Sequence, residues 1–136
     1  MKEGKVISSE VKRRILVIDD DPQVYKIISR LLDPKRYEVE TASDGPEGLK
    51  KIKEKKPELL VLDLMMPGMS GLEVCQKVKQ AYPKEMMVLV LSAKDAQMDR
   101  HRCFEIGADD FETKPFHIAT LARKIDHMFE KMKRHP

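Results

Sequence analysis

Blocks of continuous apolar residues alternate with stretches whose apolar positions recur every three or four residues, five times along the chain. Ile15-Leu16-Val17-Ile18, Leu59-Leu60-Val61-Leu62 and Met87-Val88-Leu89-Val90-Leu91 are unbroken runs. Such runs predict strands buried on both faces, as in a parallel sheet covered by helices. Tyr37, Val39 and Thr41 alternate with charged residues and predict a half-exposed edge strand. A fifth strand around Asp110 to Thr113 is short and carries Phe111 as its one large apolar residue.

Helices are predicted between these strands. Asp21-Pro22 reads as an N-cap followed by proline at the first helical position. Val24, Ile27, Ile28, Leu31 and Leu32 then form one apolar stripe. Leu49 and Ile52 mark a second helix, opened by Ser43-Asp44-Gly45-Pro46, and Leu72, Cys75 and Val78 mark a third. A fourth runs from about Ala96 to Ile106 and stops at Gly107; its run Asp99-Arg100-His101-Arg102 predicts a largely exposed helix. In the last, Ile118, Leu121, Ala122, Ile125, Met128, Phe129 and Met132 keep helical spacing throughout.

Five strands alternating with five helices predict an α/β fold, an open doubly wound parallel sheet in the flavodoxin-like order 2-1-3-4-5 with helices on both faces. Ligands in such sheets bind beyond the carboxyl ends of the strands, where the order reverses between strands one and three. The domain is read as residues 14–133, after an N-terminal extension of 1–13. With 136 residues the chain has room for one core.

Composition narrows the function classes. Hydrophobic residues make up 41% and charged residues 36%, a soluble globular balance. The longest apolar runs are far too short to span a bilayer, and Met1 to Arg14 has no apolar core of a signal peptide. Two cysteines, Cys75 and Cys103, make neither a disulfide framework nor a metal cluster, so a cytoplasmic setting is expected. The net charge of +3 gathers in Lys12-Arg13-Arg14 and in Lys131 to His135. These read as solvated chain ends, and no direct nucleic-acid binding is expected, since interleaved aromatics and a recognition motif are missing.

The residues just after each strand carry the chemistry. Asp19, Asp20 and Asp21 follow strand one, Asp63 ends strand three, Ser92 follows strand four, and Lys114-Pro115 follows strand five. Like charges crowded together raise a pKa or recruit a cation. Hard oxygen ligands without histidine or cysteine point to Mg²⁺. A lysine and a hydroxyl at the same mouth complete a site for a phosphoryl group, and a carboxylate is a competent nucleophile for its transfer.

Over about Arg14 to Lys131 the pattern resembles the receiver domain of two-component response regulators. The matching segments are Ile15 to Pro22 (ILVIDDDP), Leu59 to Gly71 (LLVLDLMMPGMSG), Leu89 to Lys94 (LVLSAK) and Gly107 to Phe116 (GADDFETKPF). The resemblance implies that Asp63 is the phosphoacceptor and that Mg²⁺ is held by Asp20, by Asp63, by Asp19 through a water and by the backbone carbonyl of Met65. It implies that Ser92 is the switch hydroxyl, that Lys114 contacts the phosphoryl group, and that Lys114-Pro115 is a cis peptide. Phe111 stands at the aromatic switch position, where tyrosine is frequent, so partner contacts there would be apolar. The implied donor is a sensor histidine kinase or a phosphotransfer protein. The implied output is partner binding through the helix 4–strand 5–helix 5 face, with dimerisation on phosphorylation a further expectation. Enzymatic activity is expected to go no further than self-phosphorylation and self-dephosphorylation.

Other residues have plainer readings. Asp21 is the helix cap, Asp109 and Asp110 are turn and surface residues, Cys75 is core, and Met65, Met66 and Met69 pack in a loop. Two rival functions share parts of the pattern. A haloacid-dehalogenase-like phosphatase would use Asp19 as nucleophile in a D-x-D spacing, but the chain has no cap insertion. A flavodoxin-like FMN binder needs a Ser/Thr/Gly-rich phosphate loop where this chain puts three acids. A degenerate, scaffold-only receiver is a further alternative, and the complete set of acids, hydroxyl and lysine argues against it.

Overall fold

A computed structural model describes residues 11–93, 95 and 97–134. Lys94, Ala96 and His135, which belong to features noted above, lie outside the described residues. Strands β1 (Arg13–Ile18), β2 (Tyr37–Ala42), β3 (Leu59–Asp63), β4 (Met87–Ala93) and β5 (Asp110–Lys114) alternate with helices α1 (Pro22–Leu31), α2 (Gly45–Lys55), α3 (Gly71–Ala81), α4 (Gln97–Ile106) and α5 (Ile118–Arg134). All strand pairs are parallel, in the order β2-β1-β3-β4-β5. The predicted fold class and strand order are therefore observed. β1 starts at Arg13, two residues before its apolar run, because Arg13 and Arg14 pair with Tyr37 and Glu38 of β2.

Alternation within the continuous runs explains why they are apolar throughout. Leu16, Ile18, Leu60, Leu62, Val88 and Val90 face one layer, where they meet Ile52 of α2, Val74, Cys75 and Val78 of α3 and Cys103 of α4. Ile15, Val17, Leu59, Val61, Leu89 and Leu91 face the other, against Val24 and Ile28 of α1 and Leu121, Ile125, Met128 and Phe129 of α5. Burying one such aliphatic side chain contributes about 1.5–3 kcal/mol, so this two-sided sandwich is the main source of stability. Within the α5 stripe Ile118 is an exception. It is the first residue of the helix and is exposed.

Local chemistry stops and starts the helices. The Asp21 carboxylate accepts from the backbone N–H of Gln23 at 3.0 Å, with Pro22 behind it. Asp44 accepts from Glu47 N–H, while the Ser43 N–H donates back to the Glu47 carboxylate at 2.7 Å, closing a reciprocal cap. The Ser70 hydroxyl accepts from Glu73 N–H and starts α3. α4 ends at Gly107, whose φ of +127° carries the chain out of the helix.

Asp109 does more than the turn role expected of it. Its Oδ2 accepts from the backbone N–H of Val88 at 2.8 Å and from Lys79 Nζ at 2.9 Å, joining the start of β4 to the end of α3. Asp110 fits the surface reading better, pairing with Lys124 at 3.6 Å.

Candidate functional site

Parallel strands bring their carboxyl ends to one edge of the sheet. Ile18 is level with Leu62, Asp63 with Leu91, and Ala93 with Lys114. The residues at or just past these ends are Asp19, Asp20, Asp63, Ser92 and Lys114; Asp19, Asp20, Asp63 and Lys114 meet in one crevice, and Ser92 lies on the same edge of the sheet. Asp19, Asp63 and Ser92 are buried there, although polar, while Asp20 is exposed.

The buried groups are partnered. Asp19 Oδ1 accepts from the Asp21 N–H at 2.9 Å, and its own N–H donates to the Ala42 carbonyl. Asp63 Oδ1 accepts from the Met65 N–H at 3.1 Å. Lys114 Nζ lies 2.8 Å from Asp19 Oδ2 and 3.5 Å from Asp63 Oδ2. The Lys114–Pro115 peptide is cis. Burial, followed by the charge of Asp19, pushes the Asp63 carboxyl up to about 6, against the Met65 N–H and Lys114. For Lys114, burial opposes the charge, but the Asp19 hydrogen bond and the Asp63 and Asp19 charges outweigh it. The ammonium is held above the ordinary lysine range.

One carboxylate oxygen each from Asp19, Asp20 and Asp63 comes within 4.8 Å of the others. Three hard oxygen donors around one point, one solvent-facing and two buried, suit a small divalent cation that keeps part of its water shell. The raised pKa of Asp63 has the same origin, since negative charge is concentrated in a partly dry place.

The loop after β3 holds the site's shape. Gly68 has φ +78°, a left-handed turn that a side chain would strain. Gly71 begins α3 so close to β3 that a Cβ there would lie 2.2 Å from the Asp63 carbonyl oxygen. The ladder across the site continues past the strand, with Leu64 N–H donating to the Leu91 carbonyl and Gly71 N–H to that of Leu64. Met65 in this loop is exposed and Met66 is buried, so only part of the methionine group packs.

Ser92 and Phe111 sit on neighbouring strands, and sequence reasoning missed what joins them. Arg100 of α4 donates to Ser92 Oγ at 3.3 Å and to the Ala93 carbonyl at 3.1 Å, and its guanidinium lies 5.0 Å from the Phe111 ring centroid. Phe104 meets the same ring edge-on at 5.7 Å, and Lys124 Nζ lies 5.1 Å from its centroid while donating to the Phe111 carbonyl. In the sequence Arg100 is one cation in a polar run, with no spacing signal that could have singled it out.

An acid-lined crevice, a lysine and a buried hydroxyl stand at the carboxyl edge of a doubly wound sheet. Residues 15–126 match the response regulator receiver domain, and the chain belongs to that family. It is 43% identical over 108 residues to the alkaline phosphatase synthesis transcriptional regulatory protein PhoP of Bacillus subtilis (strain 168), covering 78% of this chain and 44% of that protein. The chain thus spans less than half the length of that curated relative. Among solved structures, a CheY-like response regulator receiver domain protein from Methanospirillum hungatei JF-1 superposes with a TM-score of 0.86 at 27% identity, covering 93% of this chain and 100% of that one. The response regulator DrrB of Thermotoga maritima, an OmpR/PhoB homologue, gives 0.79 at 32% identity, over 89% and 54% of the two chains. The chain is a receiver domain of two-component signalling. Among the described residues no helix is long and apolar enough to cross a membrane.

Proposed function

We propose that Asp63 accepts a phosphoryl group from a sensor histidine kinase or phosphotransfer protein, with Mg²⁺ in the crevice, and that the acyl phosphate alters partner binding on the α4–β5–α5 face. The reading rests most on one observation: Lys114 reaches both Asp19 and Asp63 where the carboxyl ends of β1, β3 and β5 meet. On this reading residues 14–133 form the functional unit and act in the cytoplasm as a switch, with no turnover beyond self-phosphorylation and self-dephosphorylation.

The residues fit the cation. Asp20, Asp63 and the Met65 carbonyl would hold it directly and Asp19 through a water. When bound, Mg²⁺ neutralises the carboxylates and the phosphoryl oxygens. The protein's own groups do the rest. A carboxylate oxygen of Asp63 attacks phosphorus, a P–O bond forms, and the P–N bond to the donor imidazole breaks with its electron pair staying on nitrogen. The Met65 N–H fixes one Asp63 oxygen and leaves the other facing the crevice. Lys114 pairs with the transferred group, and Ser92 donates its hydroxyl to a phosphoryl oxygen. The PhoP relative is a transcriptional regulator, so a partner or attached unit acting on transcription is one output this domain could serve.

The test is labelling with acetyl phosphate and Mg²⁺, followed by mapping of the acyl phosphate. Label on Asp63, lost in Asp63→Asn, is expected. Label on Asp19 that persists in Asp63→Asn would replace this reading with phosphatase-like chemistry.

A further inference from the structure

We propose that Arg100 is a positioning residue for the switch, a latch that holds Ser92 and Phe111 in the unphosphorylated arrangement. The inference deepens the proposed function and rests on it. In that function Ser92 must turn to a phosphoryl oxygen on Asp63, and Phe111 must then move. One side chain touches both. Arg100 donates to Ser92 Oγ and to the carbonyl of the next residue, Ala93, while lying over the Phe111 ring. Arg100 Nη1 serves the hydroxyl and the carbonyl together while the planar guanidinium, less strongly hydrated than an ammonium, lies over the aromatic face.

The consequence is mechanical coupling. Drawing the end of β4 toward Asp63 stretches the two Arg100 hydrogen bonds. Moving the Phe111 ring gives up its cation–π contact with the same group. Either movement loosens the restraint on the other, so the two change together. The ring is also steadied by Phe104, on the turn of α4 after Arg100, and by Lys124 from α5. Arg100 is therefore the point where β4, α4 and β5 meet. Its contacts belong to the resting state and must be given up on switching, so they oppose activation. A ligand shifts a two-state equilibrium through its differential interactions, and removing a contact made in one state favours the other.

The experiment titrates the full chain with the phosphoryl mimic beryllofluoride at fixed Mg²⁺, reading amide NMR shifts of Ser92, Ala93 and Phe111. The wild type is compared with Arg100→Ala, Arg100→Lys and Asp63→Asn, and the melting temperature of each is recorded. Arg100→Ala should need less mimic, by about five-fold or more, that factor being the scale of one exposed cation–π contact alone. Its mimic-free amide shifts should already lie part of the way toward the bound positions. Arg100→Lys should fall between, and Asp63→Asn should not respond. General destabilisation lowers the melting temperature but does not tighten the mimic, so the gain in affinity is specific to a latch. A wild type that switches while Arg100→Ala titrates unchanged or more weakly overturns the latch and leaves the proposed function standing. A wild type whose Ser92 and Phe111 shifts never move with bound mimic overturns both.

Discussion

Lys114 lies closer to Asp19 than to Asp63, 2.8 Å against 3.5 Å, although only Asp63 is the proposed nucleophile. The lysine is thereby held at the mouth without fully engaging the acceptor carboxylate. Neutralising Asp19 would let the ammonium settle on Asp63 and would remove one acid from the cation set. Asp19→Asn should slow acetyl phosphate labelling by roughly ten-fold or more, the scale on which groups supporting a metal site act, without abolishing it. Asp63→Asn should abolish it. Time courses with mass-spectrometric mapping check both; an Asp19→Asn protein labelled at the wild-type rate would count against the arrangement.

Metal removal should be visible in stability. A cation that binds the folded crevice and not the unfolded chain stabilises by mass action, about 2.7 kcal/mol at a hundred times its Kd. Millimolar Mg²⁺ should therefore raise the melting temperature, and a chelator should stop phosphorylation. Asp20→Asn relieves repulsion around Asp63, so it should raise the metal-free melting temperature and blunt the response to Mg²⁺. A melting temperature unmoved by Mg²⁺ in the wild type would contradict this.

The pH dependence of the metal-free protein follows from the raised Asp63 carboxyl. Its folded value of about 6 lies above its ordinary value of 3.8, so over that window the native state binds more protons than the unfolded chain. Stability from this group is complete below the lower value and is lost as the pH rises through the upper one. Urea unfolding in chelator at pH 5 and pH 7.5 isolates the effect when wild type is compared with Asp63→Asn. The wild type should lose ground to the variant as pH rises; an unchanged difference would rule it out.

Gly71→Ala should be harmful although the change is one methyl group. The new Cβ would sit 2.2 Å from the Asp63 carbonyl oxygen and 2.7 Å from the Leu64 Cα, both backbone atoms with little freedom to yield. Overpacking of this kind costs about 1–3 kcal/mol. The displaced end of β3 should also slow labelling of Asp63. Denaturant midpoints and labelling rates are the measurements, and a variant of wild-type stability would show that the loop yields freely.

Ser92→Ala should separate phosphorylation from response. Its hydroxyl is buried near the end of β4 and forms no part of the nucleophile. Labelling should continue, while the amide-exchange change on α4 induced by a phosphoryl mimic should fall by at least half. Lys114→Ala should be more damaging still, since it removes an ion pair rather than a single hydroxyl contact. A full wild-type change in Ser92→Ala would mean that the signal leaves the site by another path.

The strands, their order and the crevice were legible because their causes are local or periodic. Unbroken apolar runs ending in Asp19, Asp63 and Ser92 mark parallel strands, and parallel strands must bring those ends to one edge. The cap at Asp21 and the opening of α2 within Ser43-Asp44-Gly45-Pro46 were legible too, because a cap acts on N–H groups two or three residues ahead. What tertiary structure alone decided depends on the separation and orientation of distant groups. Adjacent acids diverge, Asp19 buried on Lys114 and Asp20 facing solvent, which no spacing along the chain specifies. Asp109 is drawn from a turn role into a bond with Val88, and Ile118 is left outside the stripe whose period it keeps, because packing rather than period decides what is covered. Arg100 reaches Ser92 and Phe111 together only because α4 lies across the ends of β4 and β5, so its contacts arise from the packing of three elements and leave no pattern in one of them.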